Sequence, residues 1–152
     1  MNVGRAFAAG VVGALVMTLL MMLLRATGTH LELETPLAAV FGAHSWLAGW
    51  IAYLIIGGLL AQIYAFGFEF ILNQAGVGAG LLFGAIHSVL AGFVWSNIAG
   101  GPGKFWDTLS GEGIALLFFL HFVYGAIVGG LYRTEHTLVE AGAIKGSRPV
   151  KG

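Results

Sequence analysis

Charged residues along the chain gather in short segments separated by four long apolar stretches, Ala6–Leu24, Leu47–Phe66, Val77–Ile98 and Ile114–Leu131. None of the four contains Lys, Arg, Asp or Glu. A helix crosses a bilayer with about 20 mainly apolar residues, whereas a helix on a soluble domain keeps a polar stripe. The pattern therefore predicts an all-α membrane protein. Four transmembrane helices form an antiparallel bundle over residues 1–135, and a polar cytoplasmic tail follows at 136–152.

Composition strengthens this reading. Hydrophobic residues make up 58% of the chain and charged residues 9%, against about 25% charged in a soluble domain. Seven basic residues balance seven acidic ones, so no basic face points to nucleic acid. With no cysteine, disulfides, iron–sulfur clusters and thiolate metal sites are excluded. The first apolar run exceeds the 7–15 residues of a signal peptide, so it is read as a retained span. Arg5, Arg133, Lys145, Arg148 and Lys151 share one side, and only Arg25 and Lys104 lie on the other. Basic residues mark the cytoplasmic side, which predicts both termini in the cytoplasm, or in whatever compartment synthesises the protein; the expected location of the spans is a bacterial inner membrane. Between spans, Thr35 and Pro36 open a short helix that Gly42 ends. Ser45 caps the second span, Trp46 and Trp50 anchor it at the headgroups, and residues 100–107 form a tight turn with an aromatic anchor.

Helices in lipid associate where small residues let their backbones approach. The third span carries such a row at Gly80, Gly84, Ser88, Gly92, Ser96 and Gly100. The fourth has Gly125 and Gly129, the first Ala6, Gly10, Ala14 and Thr18, and the second Gly49, Gly57 and Ala61. These rows serve bundle packing, or one of them docks another subunit. A weak repeat aligns Tyr53-x3-Gly57-x3-Ala61-x2-Tyr64 with His121-x3-Gly125-x3-Gly129-x2-Tyr132, and Ala9-x3-Gly13-Ala14 with Gly80-x3-Gly84-Ala85. A duplicated two-helix hairpin is one account of it, and chance matches in Gly-rich helices the other. Gly10-x6-Met17-Thr18, together with His121-Phe122-Val123-Tyr124-Gly125-x3-Gly129-x2-Tyr132, resembles families of small uncharacterised bacterial four-helix integral membrane proteins. The resemblance spans roughly residues 4–133 and implies the same topology. In those families a His often stands where this chain has Tyr53.

Ionisable residues within a span are functional candidates by default, and here they are His87 and His121. The third span is centred at His87–Ser88 and the fourth at Phe122–Val123, so both imidazoles are expected near one depth on neighbouring helices. Three readings compete. Each neutral ring bonds a neighbour such as Ser88, Tyr124, Tyr53 or Thr18 and fixes register; the pair relays protons or binds a small solute; or the pair ligates haem b. A second cluster, His30, Glu32, Glu34 and His44 with Asp107 and Glu112, has metal-capable donors but no tight metal motif. Glu69 is expected to snorkel at the headgroups, and Ser96 and Asn97 to satisfy the adjoining loop. No nucleophile–base spacing, nucleotide loop or paired intramembrane carboxylate is present. The expectation is a non-enzymatic bundle without cofactor, surrounded by lipid, that self-associates or serves as an accessory subunit of a larger membrane complex. The alternatives are a haem b electron carrier and a proton or small-solute transporter, both using His87 and His121.

Overall fold

The computed structural model describes residues 1–28, 45–98 and 111–133, apart from the side chains at 46, 95–98 and 112. These residues form helices α1 (Val3–Ala26), α2 (Trp46–Phe70), α3 (Val77–Ile98) and α4 (Gly111–Leu131), packed together with no strand among them. By length and composition each is apolar enough to cross a membrane. The helix expected at 35–42, the turn at 100–107 and the tail lie outside the described residues.

Local chemistry sets the helix ends. Asn2 Oδ1 accepts the Arg5 backbone N–H at 2.9 Å and Ser45 Oγ accepts that of Ala48 at 3.0 Å, each satisfying a donor that the first turn leaves free. Gly28, at φ +93°, closes α1 in the left-handed conformation that glycine adopts without strain. Helix α2 runs a turn beyond the expected Phe66 and so includes Glu69. The turn into α3 passes through Asn73 at φ +53°, a residue that tolerates this region.

Because every helix is apolar all round, side-chain size decides which face turns inward. Buried positions on α1 are Ala6, Ala9, Gly10, Gly13, Ala14, Met17, Thr18 and Met21, while Leu15, Leu19 and Leu23 point out. On α3, Gly80, Gly84, Ser88 and Gly92 are buried and Leu82, Ile86, Leu90 and Phe93 are exposed. Small inside and branched outside is the arrangement that close backbone approach requires.

Three seams hold the helices: α1 with α2, α3 with α4, and α1 with α4. In the first, a Cβ on Gly10 would lie 2.9 Å from the Gly57 carbonyl carbon and 2.6 Å from Ala61 Cβ. In the second, a Cβ on Gly125 would lie 2.9 Å from the Gly80 carbonyl carbon, and one on Gly84 would lie 3.1 Å from that of His121. Gly129 faces Gly76 and Gly80. In the third, Gly13 lies against the Tyr124 ring. Helices α2 and α3 stand farther apart, and Tyr64, Phe68, Phe83 and His87 fill the space between them.

The two hairpins repeat their contacts at a register that differs from the sequence match. Gly10 and Ala14 meet Gly57 and Ala61 as Gly80 and Gly84 meet Gly125 and Gly129. Thr18 Oγ1 donates to the Ala14 carbonyl and Ser88 Oγ to that of Gly84, both at 2.8 Å. The counterpart of Gly80 is thus Gly10 and not Ala9. Gly13, which supported the one-residue-shifted match, faces the other hairpin.

Candidate functional site

The polar groups of the bundle converge on the centre of α3. Gly84, one turn before His87 and Ser88, brings α3 against the α4 backbone at His121. That close approach puts the imidazoles of His87 and His121 in contact, with ring centroids 4.6 Å apart and planes at 79°. Tyr64 from α2 and Tyr124 from α4 enclose His87, each with its ring centroid 5.9 Å away, and lie 5.5 Å from one another. His121 is buried at 8% exposure and His87 is partly open.

Hydrogen bonds fix one nitrogen of each ring. His121 Nδ1–H donates to the Leu117 carbonyl at 2.8 Å; a carbonyl can only accept, so in the neutral ring Nε2 carries the lone pair. Tyr64 Oη and His87 Nδ1 are 3.0 Å apart. Among the described residues this is the one hydrogen bond of the buried Tyr64 hydroxyl, which is satisfied as donor when O–H points to Nδ1, leaving the His87 proton on Nε2. Neither Nε2 has a hydrogen-bond partner among the described residues.

The hydroxyls named from the sequence as supports for the imidazoles are bonded elsewhere. Ser88 and Thr18 return to their own helices, Tyr124 O–H donates to the Gly57 carbonyl across the bundle, and Tyr53 O–H donates to Met17 Sδ at 3.5 Å. The partner of His87 is instead Tyr64, which the sequence shows only as the last position of the repeat motif. A second polar cluster joins three helix ends: Tyr132 O–H donates to Glu69 Oε1 at 2.8 Å and Tyr132 Oη accepts the Asn2 backbone N–H at 3.2 Å. Glu69 therefore does not stand alone at the headgroups. The Phe68 ring separates the two clusters, 6.2 Å from both Tyr64 and Tyr132.

His87 and His121 are the donors that the bundle centre offers to a metal or cofactor. Haem iron between them would need ring centroids about 6 Å apart, from two metal–nitrogen bonds of about 2 Å plus the ring radii. At 4.6 Å, with a Gly84 Cβ already 3.1 Å from the His121 carbonyl carbon, no macrocycle passes between the rings. The pair as placed does not fit axial ligation of one haem. Among the described residues no group of three or more His, Cys, Asp or Glu converges. His30, Glu32, Glu34, His44 and Asp107, and the side chains of Glu112, Ser96 and Asn97, lie outside the described residues. Comparison of the chain with protein-family models, curated proteins and solved structures finds no match.

Proposed function

We propose that this chain is a multi-pass protein of the bacterial inner membrane, with both termini in the cytoplasm. It acts without an active site of its own, as a self-associating or accessory subunit of a larger membrane assembly. One observation carries the reading: large apolar side chains cover the outside of all four helices while hydroxyl, imidazole and amide groups turn inward. Such a surface meets lipid and other membrane helices. The falling register, Gly76 with Gly129, Gly80 with Gly125 and Gly84 with His121, supports an antiparallel order of spans, and the bias of basic residues supports the orientation. Phe68 between the two polar clusters favours a closed bundle over a conducting path. Gly10, Gly57, Gly80, Gly84, Gly125 and Gly129 are occupied within the chain, so contacts with neighbours fall to the outward apolar faces of the helices.

The test is extraction from native membrane in mild detergent followed by native mass spectrometry. The expected species holds further copies of the chain or other membrane polypeptides at fixed stoichiometry. A lone monomer at native expression level overturns the assembly reading.

A further inference from the structure

We infer that the seam between α2 and α3 admits a neutral, lipid-soluble molecule from the bilayer, and that His87 and His121 bind its hydroxyl group. This goes beyond the scaffold role and rests only on the reading of the outer surface as lipid-facing.

The two hairpins meet unequally. Gly13 lets α1 approach the Tyr124 ring of α4. In the register that equates Gly10 with Gly80, the counterpart of Gly13 is Phe83, whose ring lies against Gly67 of α2. A benzyl group where the other seam has a hydrogen atom holds α2 and α3 apart. One turn beyond Phe83, His87 stands in this wider seam, bonds Tyr64 across it and stays partly exposed. Its neighbours Ile86 and Leu90 are exposed on the outer face, so the seam opens towards lipid.

The pair offers one donor and one acceptor. His121 gives its Nδ1 proton to Leu117 and keeps a lone pair on Nε2, whereas Tyr64 leaves the His87 proton on Nε2. Neither Nε2 has a hydrogen-bond partner among the described residues, and neither is sealed beneath packed side chains. A hydroxyl is the neutral group whose single oxygen accepts from one nitrogen and donates to the other. Two hydrogen bonds of about 2.9 Å together outreach the 4.6 Å between ring centroids, so one oxygen can serve both rings. Charge excludes an ionised headgroup. Glu69, the one carboxylate whose side chain is described, is bonded to Tyr132 beyond Phe68, and a charge buried at the pair would have no counterion to offset its desolvation. The rings of Phe83, Tyr64 and Tyr124 beside the pair suit an apolar body behind the hydroxyl.

The full chain, ¹⁵N-labelled at histidine in a phosphocholine detergent that carries no hydroxyl, is titrated with dodecanol and with 4-dodecylphenol, and the Nε2 resonances of both rings are followed. The expected result is a saturable shift of both, and the tighter of the two probes tells an aliphatic alcohol from a phenol as the source of the hydroxyl. The methyl ethers of the same probes accept from His87 but give His121 nothing. They should bind about tenfold more weakly and leave the His121 Nε2 resonance in place. In H121F the His87 resonance should report the alcohol and its ether with equal affinity. The ether comparison uses the native chain, so it decides the matter even where that variant fails to fold. Resonances unmoved by either probe, shifts that grow in proportion to probe without saturating, or alcohol and ether acting alike on the native chain overturn the proposal. The mass of the species extracted from native membrane reads assembly separately, so either reading can fail alone.

Discussion

Replacing Gly125 by Ala tests the packing argument at its tightest point. A Cβ there would lie 2.9 Å from the Gly80 carbonyl carbon and 3.1 Å from Gly84 Cα. Both obstacles are backbone, so no rotamer relieves the clash and α3 must withdraw from α4. A gap of 0.5–1 Å forfeits about a quarter to a half of each dispersion contact along the seam. Overpacking costs about 1–3 kcal/mol, and the rigid obstacle here argues for the upper end. Against this, Ala gains up to about 1 kcal/mol in intrinsic helix preference over Gly. Gly78, on the same helix as Gly80, has open space where its Cβ would stand, so Gly78→Ala takes the preference without the clash. The two variants should differ by about 3 kcal/mol, with Gly78→Ala neutral or stabilising. Reversible unfolding in mixed micelles, followed by far-UV circular dichroism against the SDS fraction, measures the difference. If the two agree within about 0.5 kcal/mol, the scatter of an ordinary surface change, the backbones do not meet as described.

Tyr64→Phe strands the His87 Nδ1 that Tyr64 now engages, and should cost about 1–3 kcal/mol in the same unfolding titration while leaving the ring packing intact. Tyr132→Phe removes the links to both Glu69 and Asn2 and should cost about 1–2 kcal/mol. Glu69→Gln, which still accepts the Tyr132 proton, should cost less than Tyr132→Phe, and a reversed order would refute that hydrogen-bond assignment. A nitroxide on Ile86→Cys in lipid vesicles should relax readily with dissolved oxygen and poorly with a water-soluble nickel chelate, because Ile86 is exposed at the centre of an apolar helix. Equal accessibility to both would place that face in water.

The helices were legible because uninterrupted apolar length is a one-dimensional property. Their mutual arrangement was not. A helix that is apolar on every side gives no amphipathic stripe to orient it, and the choice of face falls to size, which becomes decisive only against a particular neighbour. Gly13 illustrates this. It matched the repeat by identity, yet it faces the Tyr124 ring of the other hairpin, while the repeated contacts belong to Gly10 and Ala14. The imidazole pair was anticipated from depth alone, since antiparallel neighbours with His near their centres meet at one level. The partner of His87 was not, because Tyr64 enters from α2, across a space that no sequence spacing measures. Glu69 escaped for a similar reason: Tyr132, its donor, follows the last residue of α4.

The corrected register gives the imidazole pair a counterpart. Shifting Gly10 to Gly80 and Gly57 to Gly125 carries Met17 onto His87 and Tyr53 onto His121, and Met17 and Tyr53 are indeed paired, Oη to Sδ at 3.5 Å. The glycine seam therefore fixes a place for two facing side chains in each hairpin, and residue identity supplies the chemistry. If that is so, Met17→His with Tyr53→His builds a second imidazole pair. Gly49, four residues before Tyr53, stands where Leu117 stands before His121, so its carbonyl is placed to orient the new ring. The counterpart of Tyr64 is Tyr132, already engaged with Glu69 and Asn2, so the ring introduced at Met17 lacks its orienting hydroxyl. The double variant should bring the two introduced rings into contact, read as a nuclear Overhauser effect between their ring protons in histidine-labelled protein in detergent. A folded double variant in which those rings do not meet would show that the seam alone does not place the pair.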